Sequence, residues 1–407
     1  MKVLFLDAYF EPEQIAFTHL ERDLLEKLVG DSHDITVICP TPTRGIDETT
    51  VKEYKKRKNE ELFAGHIHVK RFSAPQEGRN PLIRAFRYFW CNLRTYQMGK
   101  QVRDCDLVFC NSTPPTQGWI AGRVARILKV PFVYSLQDIF PDSLVTTGMT
   151  KKNSLLWKIG RNLEKKTYQH CSKIVVISEA MKQNLIEKNV EKEKICLISN
   201  WIDINTIKQI DKKDNKLFDE FNIDRSKFII VYAGNFGEAQ GAEIVIYAAE
   251  RLQNRGDIQF VIFGGGSGYE KACQLSENLK NVFIHPLMPQ SRIAEVYSMG
   301  DIALITARKG VGKSGMPSKM WSIMACDVPI VASFDKDSEL AEIMQRSEAG
   351  VCAEPENVEE LVSAIIKVKD KTEKYTGGRN YLIQNVSKDI CLERYANLMQ
   401  NETRTRK

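Results

Sequence analysis

The chain has 407 residues, 43% of them hydrophobic and 27% charged, with a formal net charge of +6. That length predicts two domains, and the composition excludes a disordered or fibrous chain. The mild charge argues against a protein built to bind nucleic acid, and no apolar run reaches the roughly 20 residues of a membrane span.

In the first half, short apolar strands are predicted at Val3–Leu6, Ile35–Cys39, Leu107–Cys110, Phe132–Ser135 and Ile174–Ile177. They are near-continuous and rich in β-branched residues, as strands buried on both faces should be. Helical patterns lie between them at Ala16–Val29, Leu82–Val102, Gln117–Leu128, Leu155–His170 and Glu179–Glu187. The alternation means a doubly wound parallel α/β sheet. Met1–Ala8 is too short in apolar residues for a secretion signal. His66 and His68 fall on a half-exposed alternating strand, which is a better reading of them than a metal site. The ten cysteines form no C-x-x-C pair and make no zinc pattern with the six histidines. They read as buried, reduced thiols of a cytoplasmic protein, with no metal and no cofactor expected.

The pattern then restarts. Asp203–Lys227 is polar and reads as a linker with a short helix. Phe228–Ala233 repeats the character of the opening strand, and further strands are predicted at Gln259–Phe263, Val282–His285, Ile302–Thr306, Pro329–Ser333 and Gly350–Ala353. Helices are predicted at Ala242–Gln253, Gly268–Glu277, Ser291–Met299, Ser318–Met324, Asp337–Gln345, Val358–Lys369 and Ser387–Met399. Two Rossmann-like domains facing across a cleft account for the restart: 1–202, 203–380, and a C-terminal helical segment 381–407 returning to the first. Ligands of such sheets bind outside the carboxyl ends of the strands.

Three loops there could meet a phosphate. Gly234, Asn235 and Gln240 follow the first strand of the second half, and Gly264 and Gly265 follow the next. The stretch GKSGMPSKMWSIMACDVPIV supplies Lys313, Gly315, Met316, Pro317, Ser318 and Lys319 around the start of a helix. Free N–H groups flanked by lysines suit an anion. Pro317 suits a first helical turn, and Ser318 or the Gly315 backbone can cap it. There is no G-x-x-x-x-G-K-S/T and no early G-x-G-x-x-G, which disfavours a P-loop ATPase and a dinucleotide oxidoreductase.

These residues resemble glycosyltransferase family 4 of the GT-B fold over essentially the whole chain. YAGNFGEAQG, MPSKMWSIMACDVPIVAS, SLQDIFPDS and VISEAMKQNL carry the resemblance. They are similar to a bacterial O-antigen and capsule subgroup that includes N-acetylfucosaminyl transferases. The resemblance implies a retaining, metal-independent transfer from a nucleotide-sugar, a UDP-sugar, to a polyprenyl-linked saccharide. The sugar would be an N-acetylated deoxyhexosamine. The chain departs from the pattern where Ser314 and Ser322 replace two glutamates, Asn235 and Gln240 replace Arg and Lys, and Gln137 replaces His. Two other readings share the fold: a non-catalytic nucleotide-sugar-binding partner subunit and a nucleotide-sugar 2-epimerase.

On this reading Lys319 neutralises the leaving diphosphate, helped by Lys313, and Ser322 lies in the donor pocket. The base is recognised near His285 and Leu287. Asp138 orients a sugar or caps a helix before Pro141. Glu13 acts on the acceptor hydroxyl or is a surface carboxylate, with Gln14, Asn111 and Gln137 nearby. Asn80–Arg103 carries five basic residues and no acid among aromatic residues. It reads as a peripheral contact with the inner face of the plasma membrane, or as a core helix with its arginines turned outward.

Overall fold

The computed structural model describes residues 1–13, 17–77, 81–146, 149–313 and 316–404, apart from the side chains of 81, 82, 146 and 313. The chain divides into two compact units, Met1–Asn200 with Cys391–Lys407, and Trp201–Ile390. Residues 381–390 thus stay with the second unit, and only the stretch from Cys391 onward packs with the first.

The first unit is built on eight strands: β1 (Lys2–Leu6), β2 (Asp34–Pro40), β3 (Asn59–Leu62), β4 (Ile67–Phe72), β5 (Leu107–Asn111), β6 (Phe132–Leu136), β7 (Lys173–Val176) and β8 (Ile195–Leu197). Their order is β3-β4-β2-β1-β5-β6-β7-β8. All pairs are parallel except β3 with β4. β1 runs down the centre with Leu4, Phe5 and Leu6 fully buried, which is why KVLFL carries no polar alternation. The polar strand NEEL at β3 escapes the sequence pattern because it is an edge strand with no apolar face to advertise it.

The second unit holds β9 (Phe228–Asn235), β10 (Ile258–Gly265), β11 (Val282–Pro286), β12 (Ile302–Thr306), β13 (Ile330–Ser333) and β14 (Gly350–Ala353). The order β11-β10-β9-β12-β13-β14 is wholly parallel. Counted from β9 this is the 3-2-1-4-5-6 order of dinucleotide-binding sheets, and its switch point lies between β9 and β12. Apolar layers cover both faces, with Ile229, Val231 and Met320 in one and Ile230, Ile262 and Ile365 in the other. The linker 203–227 holds a four-residue helix, Leu217–Glu220, whose Leu217 and Phe218 enter the first of these layers. None of the ten cysteines forms a disulfide, and no described helix is long and apolar enough to cross a membrane.

Candidate active site

At the switch point of the second sheet, β9 ends beside the short helix Lys319–Ala325. Lys319 opens that helix, and its ammonium lies 4.5 Å from the centre of the Tyr232 ring. The ammonium nitrogen is closed to water and, among the described residues, has no hydrogen-bond partner, although the residue as a whole keeps partial exposure. Burial pulls the amine down to about 8. A cation held this way, with only a ring face for company, is what an incoming anion would relieve. Gly234 makes the arrangement possible, since a Cβ there would stand 2.5 Å from Lys319 Nζ. The Tyr232 hydroxyl donates to the Asn235 carbonyl at 3.1 Å, which fixes the ring under the lysine.

The other glycines are spent differently from the sequence expectation. Gly264 lies against the Phe236 ring, Gly265 against Leu287, and Gly268 against the Phe236 carbonyl. Gly266, at φ +94°, leaves room for the Asn235 amide. These glycines make room for close packing of one loop on another. Asn235 itself is exposed, and the Gln240 amide closes over Gly237.

Two residues that sequence reasoning missed hold the site in shape. Arg308, just past β12, reaches the Glu238 carbonyl at 2.9 Å and pairs with Glu243 and Glu356. Asp335, just past β13 and buried, accepts the Gly310 N–H at 2.9 Å and the Gly312 N–H at 2.8 Å. It anchors the loop that leads to Lys319. The only signal for either was a charged residue directly after a buried strand.

The predicted helix cap is corrected. Ser318 stands at the N-cap position but makes no side-chain cap bond, and the helix begins at Lys319. The Pro317 carbonyl accepts the Met320 N–H at 3.0 Å, and Met316 packs against the apolar core. Ser322 is buried on this helix. Gly315 and Ser314, with the side chain of Lys313, lie outside the described residues. His285 stacks on Phe221 at 4.1 Å with its Nε2 buried and unpartnered, and burial lowers its pKa, so the ring is neutral. Leu287 is exposed beside it.

In the first unit the predicted residues gather at the carboxyl end of β1, β5 and β6. Glu13 is corrected from acid–base candidate to anchor. It is buried, and its carboxylate accepts N–H groups of Thr43 at 2.8 Å, Arg44 at 2.9 Å and Phe10 at 3.4 Å. Gln137 is likewise engaged, donating to Ser135 at 3.1 Å and accepting from Asn200 at 2.9 Å. Asp138 is exposed and, among the described residues, has no side-chain hydrogen bond that would make it a helix cap. Gln14 lies outside the described residues.

Asn111 borders a buried carboxyl pair, Asp7 and Glu21. Burial raises Asp7 to about 7 and Glu21 well above the usual carboxylate range. Protonation of the pair avoids two bare charges in the interior. Carboxyls raised on folding contribute stability that is complete below their unfolded values near 4 and lost as pH rises through about 7. The melting temperature of the first unit is therefore expected to fall between about pH 4 and pH 7, and Asp7→Asn is expected to flatten that profile. A profile equally steep in the variant would exclude the pair as its source.

On the helix Pro81–Gly99 one arginine, Arg87, turns inward, while Arg84 is exposed and Arg94 partly so. Arg87 is 1% exposed and donates to the Pro75 carbonyl at 2.5 Å, while Phe86 and Phe89 are 56% and 66% exposed. The buried stripe is Arg87, Cys91 and Thr95; the outward stripe is Ile83, Phe86, Phe89, Trp90 and Leu93.

Comparison with known proteins agrees with this architecture. Residues 21–206 match the model described as Glycosyltransferase Family 4, and residues 213–388 match that described as Glycosyl transferases group 1. The chain is 28% identical over 280 residues to the Escherichia coli colanic acid biosynthesis glycosyl transferase WcaI, covering 67% of this chain and 69% of that protein. It is 26% identical over 333 residues to the Pseudomonas aeruginosa glycosyltransferase WbjE, covering 80% and 82%. Anabaena HepE, solved with UDP and glucose, superposes with a TM-score of 0.67 at 18% identity over 98% of this chain and 100% of that one.

Proposed function

Because the chain belongs to glycosyltransferase family 4 with the GT-B fold, we propose that it is a retaining enzyme moving a sugar from a UDP-sugar to a lipid-linked saccharide. The setting is polysaccharide biosynthesis at the cytoplasmic side of a membrane. The sugar class, an N-acetylated deoxyhexosamine, rests on the motif resemblance alone. The observation that carries the donor site is the buried, unpaired ammonium of Lys319 at the switch point of the second sheet.

In the reaction the bond between the anomeric carbon and the β-phosphate oxygen breaks, and a bond to the acceptor hydroxyl oxygen forms. The acceptor proton leaves with the departing diphosphate. Charge grows on that diphosphate, so a preorganised cation lowers the barrier by several kcal/mol. Lys319 supplies it, its long stem letting the ammonium turn from the Tyr232 face to a phosphate oxygen. Asp335 and Arg308 act one step back, fixing the loops on either side. In the first unit, Asp138 is the exposed carboxylate left to orient a sugar, while Glu13 and Gln137 hold the loops around it. The neutral His285 and the nearby backbone would meet the base. HepE, bound to UDP and glucose in a chain of the same fold, supports this choice of donor.

Purified protein given UDP-sugars and a short-chain polyprenyl-linked saccharide tests the reading. UDP release with a product of retained anomeric configuration is expected. An inverted product, or no UDP release with any sugar, would refute it.

A further inference from the structure

In the first unit three helices lie side by side on one face of the sheet: Pro81–Gly99, Thr116–Leu128 and Leu155–His170. Each follows a parallel strand and precedes the next, so all three start at the carboxyl edge and run back. Their alignment is read from the glycines where they touch. Gly99 meets Val124, Gly118 meets Thr167, and Gly122 meets His170. Measured from these contacts, each outer helix starts about ten residues, or roughly 15 Å, ahead of the shorter middle one. The unit therefore carries two prongs beyond the carboxyl edge of its sheet.

Both prongs are apolar on the outside. The first shows Ile83, Phe86, Phe89 and Trp90 on its projecting turns while hiding Arg87. The second shows Leu155 at 76% exposure, Leu156 and Ile159, with Met149 at 74% just before it. Lys151, Lys152 and Lys158 are exposed among these last residues. The two helices contain a single acid, Glu164, and it is buried against Arg161 and Lys188. Exposed apolar groups in this number mark an interface.

We propose that the two prongs dock together into the surface of an anionic lipid bilayer, setting the carboxyl edge of the first sheet against the membrane. This rests on the lipid-linked acceptor of the proposed function and adds a second, separate contact at 149–159. The ligand class follows from the chemistry: large apolar groups for the acyl boundary, with lysine and arginine for phosphate headgroups. Arg84 of the first prong is met by Glu77 of its own chain at 3.7 Å, and a second copy of the chain fits poorly because neither helix offers an exposed acid to Lys151, Lys152 and Lys158. Two contacts on one rigid helical layer also fix orientation, which one contact cannot.

The test is flotation of the full chain with vesicles of phosphatidylglycerol and phosphatidylcholine. Binding is expected with the anionic vesicles and is expected to fall at least tenfold with phosphatidylcholine alone. Phe86→Ser/Phe89→Ser and Leu155→Ser/Leu156→Ser/Ile159→Ser should each weaken it at least fivefold, and together abolish it. UDP-induced stabilisation should be unchanged in all variants, which separates failure of the docking from failure of the donor site. Undiminished binding of the second-prong variant would overturn the two-point model. So would a dimer in gel filtration that either set of serines dissociates.

Discussion

Lys319→Met is expected to unfold at a higher temperature than the parent chain in the absence of nucleotide, and to gain nothing when UDP is added. The ammonium of Lys319 is buried beside Tyr232 and, among the described residues, has no acidic partner. Holding a lysine from its ordinary 10.5 down to about 8 corresponds to roughly 3 kcal/mol at neutral pH. Methionine keeps the length and the apolar contacts and removes the stranded charge. For a domain of this size each kcal/mol moves the melting temperature by about 2–4 °C. The sign follows from linkage: a lysine depressed on folding costs most below about pH 8, and the cost shrinks as pH rises toward 10.5. The advantage of methionine should shrink in the same way. Thermal denaturation with and without UDP reads both halves. A variant less stable than the parent, or one still stabilised by UDP, would show that the charge is not stranded for a ligand's sake.

Gly266→Ala is the second change with a large expected effect. Its backbone sits at φ +94° and its α-carbon faces the Asn235 amide. A side chain there adds about 1–3 kcal/mol of backbone strain and overlaps the amide oxygen outright. The exposed Asn235 side chain must turn aside, and the backbone strain falls on the loop after β10, beside the end of β9 that carries Gly234. Loss of UDP stabilisation and a lower melting temperature are expected. Asn235→Gly in the same chain should recover part of the loss, because it removes the overlap and leaves the strain. If the double variant behaves like the single one, overlap with Asn235 is not the cause.

The sequence made the two sheets readable because their strands are buried on both faces. KVLFL and FIIVYA need no partner to be recognised as central strands. The strand NEEL was unreadable because an edge strand is identified by its neighbour. Lys319 was readable as a cation beside glycine loops, yet its lack of a counter-anion is a fact of three dimensions. Asp335 and Arg308 bind backbone groups of loops far off in the chain, so no spacing rule leads to them. Glu13 shows the converse: its loop position suggested chemistry, while its three N–H partners make it an anchor. The helix Pro81–Gly99 is periodic on both faces, so its pattern fixed the helix and left open which stripe faced out.

The most direct test of the central claim is the dissociation constant of UDP measured between about pH 7 and pH 10. If Lys319 meets the diphosphate, the free site loses its proton near 8 and the bound site keeps it. Affinity should then be level below about pH 8 and weaken up to tenfold per pH unit above it, and this break should vanish in Lys319→Met. An affinity that stays level across the range, or a break that survives in the variant, would contradict the account.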